Sequence, residues 1–413
     1  MKYVILGSSA AGMNAVKEIR RLDKEGTITL ISKDENIYSR CILHHYLGNI
    51  RTVEQLSFVE KDFMKKYDVE WMGGAVCSGI NCKDKEAILE DGRKIYYDKL
   101  LIATGARTFV PSRTMEIAKN SVGFRNLDDI EKIKKMAAEK PEHVVVMGAG
   151  LVGLDAVSGL LELGVKPVVL DLADRPLVRQ LDKQAAKAYK DAFAKEGVQQ
   201  YYGVLIDKLI MDGKDNITDV ILSDGRKLPC DYLIMTAGVR SNIGFLNGTE
   251  LETDKFGLIF DERGNTNVPD IYGAGDVSGR APIWPAAVKE GIIAGNNMAG
   301  GSQQMEDFFA SKSTMNFLGV ATMSLANPIP EDDTYEVEIE ETADTYKKII
   351  HKAGKITGAI LQGDLAYSGI LQQMIAYKID VSKVNKSLFD IDYADFFNIN
   401  ENFEYFYEEA GNE

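Results

Sequence analysis

Three glycines, Gly148, Gly150 and Gly153, follow an apolar run that ends at Met147 and open a helical pattern; a second apolar run then closes on Asp171. At such a turn the glycines serve three separate ends, namely a tight change of direction, close approach of the backbone to a pyrophosphate, and close packing of helix on strand. A helix that opens at Leu151 and Val152 aims free N–H groups and the positive end of its dipole at the phosphates. Asp171, about 20 residues on, puts a carboxylate where it holds a ribose 2′-hydroxyl and repels a 2′-phosphate. A lone glycine triplet is also compatible with an ordinary packed βα turn, but here strand, triplet, helix, strand and acid stand in register. The stretch predicts binding of NAD(H) in preference to NADP(H).

A less regular copy stands at the N-terminus. Residues 2–6 read as a buried strand, and Gly7-Ser8-Ser9-Ala10-Ala11-Gly12 opens a helix to about residue 23. Ser9 takes the place of the middle glycine, yet small residues throughout 8–11 let a pyrophosphate approach. The next strand, 27–31, ends on Ser32, so a ribose-binding carboxylate is missing or comes from Asp34 or Glu35. Two such units suggest two bound nucleotides; a duplication with one working site is the other account. The pattern of 100–107, LLIATGAR, returns at 232–240 as YLIMTAGVR, and Asp91-Gly92 and Asp224-Gly225 are matching hairpin signals. The two halves look like copies of one plan.

Helical patterns are expected over 53–67, 127–139, 180–196, 285–299 and 366–378. Residues 271–276, IYGAGD, form a short strand that ends in glycines and an acid. Asp276 there suits either a polyol chain or a plain helix N-cap. From Ser313 the pattern alternates as in antiparallel sheet, marking a separate C-terminal α+β domain, and the acidic, aromatic stretch 390–413 is expected to pack on something.

A chain of 413 residues has room for two or three domains. Its net charge of −14 argues against nucleic acid or an anionic membrane as main partner. No apolar run approaches a membrane span, and the chain starts directly in a strand pattern, so a cytoplasmic protein is expected. Cys41, Cys77, Cys82 and Cys230 are too scattered for a disulfide framework and lack CxxC spacing, and no histidine pair has metal-ligand spacing. No bound metal is expected.

The paired glycine turns, both Thr/Ala-Gly strand ends, Gly273-Ala274-Gly275-Asp276 and the C-terminal domain together resemble the FAD-dependent pyridine nucleotide–disulfide oxidoreductase superfamily over nearly the whole chain. The resemblance implies an α/β protein with two Rossmann-like domains and a C-terminal α+β interface domain. FAD would lie on 1–110 and 240–311, NAD(H) on 111–239, and 312–413 would form the interface, usually of a homodimer. It implies an FAD site at Gly7, Ser8, Ser9, Ala10, Ala11, Gly12, Arg40, Val76, Ala103, Thr104, Gly105, Gly275 and Asp276, with Asp276 on the ribityl chain. The NAD site would take Gly148, Gly150, Leu151, Val152, Gly153, Asp171 and Gly238. Ser32 departs from the superfamily's usual Glu.

Within the superfamily, dithiol enzymes carry two cysteines five apart, but here Cys41 is matched by Tyr46. A single cysteine at this place is similar to coenzyme A-disulfide reductases and NADH oxidases; the histidine that oxidases and peroxidases carry in the first turn is Ala10 here. Tyr38 and Arg40 are similar to rubredoxin and ferredoxin reductases and the flavin module of nitrite reductase, as is Trp284. In that branch a lysine pairs with a glutamate near the flavin, and the equivalents here are His45 and Asp155. The resemblance implies an NADH:acceptor oxidoreductase serving an iron–sulfur or rubredoxin-like protein, such as those associated with carbon monoxide dehydrogenase. A thiol–disulfide reductase or NADH oxidase working through Cys41 is the alternative. Cys41, beside a flavin and after Arg40, would have a lowered pKa, or else be a small buried apolar residue.

Overall fold

The computed structural model describes residues 1–305 and 312–407. Five short strands lie parallel in the order Ile271–Gly273, Lys99–Ile102, Lys2–Leu6, Thr27–Ser32 and Val69–Gly73. Parallel strands covered on both faces read as near-continuous apolar runs, and Lys2–Leu6 buries every residue after its lysine. The helices Ala10–Leu22 and Trp284–Met298 lie against each other at very short range because glycines face the contact. A Cβ on Gly291 would stand 2.2 Å from the Ala11 carbonyl oxygen, and one on Gly295 2.7 Å from that of Ala15.

The plan is repeated by a second parallel sheet, ordered Gln199–Tyr202, Val168–Asp171, Val144–Met147, Tyr232–Met235 and Ser121–Gly123. Each half carries a three-stranded antiparallel excursion turned by Asp-Gly, with Gly92 at φ +85 and Gly225 at φ +87, where a side chain is disfavoured. The chain crosses between halves on Ala106–Thr108 and returns on Val239–Ser241, and these strands pair antiparallel. Residues 53–67 differ from expectation: they form two short turns, Glu54–Leu56 and Phe63–Lys66. The Ser57 hydroxyl bonds the Val59 carbonyl between them, offering the backbone an alternative to helix, while Leu56 and Phe63 anchor the segment in the core.

The C-terminal sheet is antiparallel, ordered Ser313–Phe317, Val320–Ala326, Lys355–Gln362, Tyr346–Lys352 and Glu336–Glu341. One face shares a core with the second dinucleotide unit through Phe317, Tyr346, Tyr189 and Phe193. There the Tyr189 hydroxyl donates to the Val320 carbonyl at 2.7 Å, and Asp182 accepts from the Tyr346 hydroxyl at 2.7 Å and Lys348 Nζ at 2.9 Å. The other face is covered by the helix Ser368–Ala376 together with Leu388, Phe389, Ile391 and Phe396. The beginning of the acidic, aromatic stretch therefore packs, while 408–413 lie outside the described residues. The strand Glu336–Glu341 forms one edge of this sheet, and its Val337 and Ile339 are exposed. Among the described residues no helix is long and apolar enough to cross a membrane.

Candidate functional site

At the carboxyl ends of the first parallel sheet lies a cavity of about 370 Å³. Such crevices are where open α/β sheets take ligands, because successive strands there deliver their loops to one place. Gly7, Ser8, Ser9, Ala10, Ala11, Arg40, Cys41, Val76, Ala103, Thr104, Gly105, Gly275 and Asp276 all line it. Gly12 does not; it lies behind the wall, where a Cβ would stand 1.9 Å from the Gly7 carbonyl oxygen. Gly7 is at φ +116, and a Cβ there would come within 2.1 Å of the Ala103 carbonyl oxygen. The turn is thus shaped for an extended ligand laid along bare backbone, which suits a dinucleotide.

Its carboxylates are already engaged. Ser32 has no charge and bonds the Ser8 hydroxyl at 2.9 Å. Of the two residues weighed as its substitute, Asp34 lines the cavity and is paired with Arg40, whereas Glu35 lies against Gly74. Asp276 lines the cavity with its Oδ2 held by Arg125, which also bonds the Ala106 carbonyl at 3.3 Å. Arg125 belongs to the second unit, so this pair ties the two units together across the cavity.

The short helix Leu43–Leu47 packs on the helix Leu151–Glu162 of the second unit, and here the residue pairing differs from expectation. Asp155 meets His44 rather than His45: His44 Nδ1 lies 3.1 Å from Asp155 Oδ1, close but outside directed hydrogen-bond geometry. The two imidazoles contact edge to face at 4.2 Å, and neither buried Nδ1 has a hydrogen-bond partner. Burial, then His45 and Arg51, pushes His44 down to about 4. His45 is lowered by burial and Arg51. Burial pushes the Asp155 carboxyl well above its usual range; its side chain keeps 20% of its surface open, which moderates the shift without reversing it. Burial thus disfavours the charged form of each of these three groups.

The Cys41 thiol also differs from expectation. Its side chain is exposed only in that it opens on the cavity; the surrounding protein desolvates the thiolate, and Asp155 adds to this, so its pKa is raised, not lowered. Arg125 opposes the shift without overcoming it.

In the second glycine turn Gly148 is at φ +117 against Thr236, and a Cβ on Gly153 would lie 1.9 Å from the Gly148 carbonyl oxygen. At Gly150 a Cβ would meet nothing within 4 Å, so the open side of this turn is its middle. Leu151 and Val152 begin the helix there, and Val152 is exposed. Asp171 is held in position by the N–H groups of Ala149 at 2.5 Å and Ala173 at 2.7 Å. Gly238, at φ +114, passes its carbonyl to the Phe109 N–H at the crossing between units.

Sequence reasoning missed Arg125, Asn242, Glu290 and His44. Asn242 and Thr104 bond each other twice, side chain to backbone, at 2.9 Å, pinning the cavity wall. None of these belongs to a periodic pattern; only the adjacency of His44 and His45 offered a signal, and that left the choice between them open.

Residues 1–291 match the family described as Pyridine nucleotide-disulphide oxidoreductase, and 312–379 match the Rubredoxin NAD+ reductase C-terminal domain. The NADH-dependent phenylglyoxylate dehydrogenase subunit epsilon of Aromatoleum evansii is 28% identical over 395 residues, 92% of this chain and 93% of its own. The NADH-rubredoxin oxidoreductase of Clostridium acetobutylicum is 25% identical over 382 residues, 91% and 94% of the two chains. A solved ferredoxin reductase from Rhodopseudomonas palustris shares the fold, with TM-score 0.83 over 94% of this chain and 98% of that one at 23% identity. With two glycine turns at the ends of two parallel sheets and a cavity cradled by the first, the chain belongs to the pyridine nucleotide-disulphide oxidoreductase family, enzymes that work with FAD and NADH.

Proposed function

We propose that this chain is an NADH:acceptor oxidoreductase that passes electrons to an iron–sulfur or rubredoxin-like protein. In this reading 1–110 with 240–311 hold FAD, and 111–239 hold NADH. FAD, when bound, takes a hydride from NADH and releases the electrons in pairs or singly. The chain's own residues bind and orient: the first glycine turn and Ala103 to Gly105 cradle the dinucleotide, and Gly150 with Asp171 seat NADH. The helix Leu43–Leu47 brings His44 up to Asp155 at the junction between the units. A small rotation of either side chain would let Asp155 Oδ1 and His44 Nδ1, 3.1 Å apart, share a proton there.

The observation that carries this reading is the state of Cys41. A thiol whose pKa is raised carries less of the reactive thiolate, and Tyr46 stands where a dithiol mechanism would need its second cysteine. The nearby Trp284 lines the cavity and stacks edge-on with Phe58 at 4.8 Å, so the cavity opens on an aromatic wall. The names of relatives support a protein acceptor, since they include rubredoxin and ferredoxin reductases. A thiol–disulfide reductase acting through Cys41 is the second reading, favoured by one fact: that thiol is free and faces the cavity. All four cysteines are free, which fits a cytoplasmic protein. If the chain forms a homodimer, the exposed edge strand Glu336–Glu341 is where we expect contact.

The test is an anaerobic titration of the oxidised protein with NADH and then dithionite. Uptake of about two electrons per FAD is expected. Uptake of about four, with release of a low-molecular-weight thiol, would mean that Cys41 starts as a mixed disulfide whose S–S bond the second electron pair cleaves, and would put the thiol reductase first.

A further inference from the structure

The turn that carries Asp276 is held from behind by a residue with no part in the reading above. Gly275 sits at φ +80, and a Cβ there would lie 3.2 Å from the Ala11 Cβ and 3.5 Å from the Ala287 Cβ. The turn is therefore clamped between the helices Ala10–Leu22 and Trp284–Met298. Its Gly275 N–H donates to Glu290 Oε2 at 2.6 Å. Glu290 comes from the second of these helices, and its carboxylate stands between the FAD cavity wall and a smaller cavity of about 180 Å³.

Few charges face it. Asp276 is the next residue along the turn, Arg280 follows beyond it, and Asp261 and Glu262 approach from the loop across the small cavity. From the helix Ala10–Leu22 it is Ala11 that lies against Gly275. Arg125 is engaged by Asp276 on the far side. Burial pushes Glu290 up to about 7, with the Gly275 N–H and Arg280 opposing and Asp276 reinforcing. A carboxyl group here accepts from Gly275 whether protonated or not, but in its anionic form it adds charge behind the wall of a cavity read as holding an anionic cofactor.

We propose that Glu290 is a positioning residue of the FAD site: it fastens the Gly275–Asp276 turn and couples FAD retention to a proton on its own carboxyl group. An anionic cofactor favours the protonated form, so by linkage FAD release carries off a proton and FAD affinity falls as pH rises through neutrality. The inference rests on the reading of the large cavity as the FAD site.

The test uses the holoprotein. FAD fluorescence after heat release first establishes that the protein carries the flavin, and a preparation without FAD would remove the reading of the cavity rather than the role of Glu290. FAD retention on dilution is then followed between about pH 6 and about pH 8.5, where wild type should weaken roughly three- to tenfold. Glu290→Gln keeps an acceptor for the Gly275 N–H without the charge; it should retain FAD as wild type does at the acid end and lose the pH dependence. Glu290→Ala should release FAD faster at every pH. A Glu290→Gln variant with wild-type pH dependence overturns the proton coupling, and wild-type retention by Glu290→Ala overturns the positioning role. Should a variant fail to fold, the wild type itself decides: in weak buffer near neutrality, FAD release should liberate about half to one proton per flavin, and no proton change overturns the proposal.

Discussion

Replacing Gly150 by alanine separates a contact with ligand from a contact within the fold. Gly150 has extended backbone, φ −80 and ψ −173, which any residue adopts, and a Cβ there meets nothing within 4 Å. Gly153, by contrast, has no room at all. For the fold, two small terms oppose each other. Alanine narrows the unfolded ensemble, stabilising by about 0.4–1 kcal/mol, but it is the poorer N-cap, at a cost of at most about 1 kcal/mol. Net stability should stay within about 1 kcal/mol of wild type. For the ligand, a methyl group in the open space keeps a pyrophosphate away from the N–H groups that begin the helix Leu151–Glu162. Losing one hydrogen bond to a charged group costs about 1.5–3 kcal/mol, which is about ten- to 150-fold in Kd. The assay is the NADH concentration dependence of anaerobic flavin reduction, with thermal unfolding and FAD content as controls. Gly150→Ala should need far more NADH while keeping its FAD and its melting temperature. A variant that binds NADH as tightly as wild type with the fold intact refutes pyrophosphate binding at this turn.

Three further outcomes are expected. Asp171→Ser removes the charge that repels a 2′-phosphate, so the ratio of kcat/KM for NADPH to that for NADH should rise at least roughly tenfold; an unchanged ratio would show that selectivity lies elsewhere. Asp155→Ala leaves His44 without its neighbour and should slow anaerobic flavin reduction by NADH about tenfold or more, and a wild-type rate would sink the proton-holding role. Asp182→Ala strips the N-cap of the helix Lys183–Lys195 and strands Lys348, whose side chain is only 8% exposed, so stability should fall by about 3–5 kcal/mol. Burial raises the Asp182 carboxyl, but the Ala185 N–H, the Tyr346 hydroxyl and Lys348 together bring it below its usual value. Its contribution is therefore complete above the unfolded pKa of about 4 and disappears as pH falls through the lower folded value. Denaturant midpoints at neutral pH and near pH 3 check this, because the variant should lack that acid-labile part.

The tight turns and the kind of each main sheet are legible in residue spacing alone. A tight βα turn needs glycine wherever a Cβ would strike a carbonyl, so Gly7, Gly12, Gly148 and Gly153 announce two dinucleotide units at chain positions that folding does not alter. Apolar runs buried on both faces announce parallel sheet, and alternation after Ser313 announces antiparallel sheet. Which polar groups meet, and which of their charged forms are disfavoured, depends on packing between segments far apart in the chain. His44 and His45 are neighbours in sequence, but consecutive helix residues point about 100° apart, and the helix carrying Asp155 belongs to another unit and meets one of them. The packing of 53–67 depends on Leu56 and Phe63 reaching a core made elsewhere. Arg125 has no signature until the chain crossing brings it to Asp276, nor has Glu290 until helix packing sets it against Gly275. The Cys41 thiol reads as activated from its neighbours along the chain, yet is raised by burial and by Asp155 from far away. Sterics along the backbone are local and survive in the sequence as spacing; desolvation and Coulomb interactions depend on distance in space, which folding alone creates.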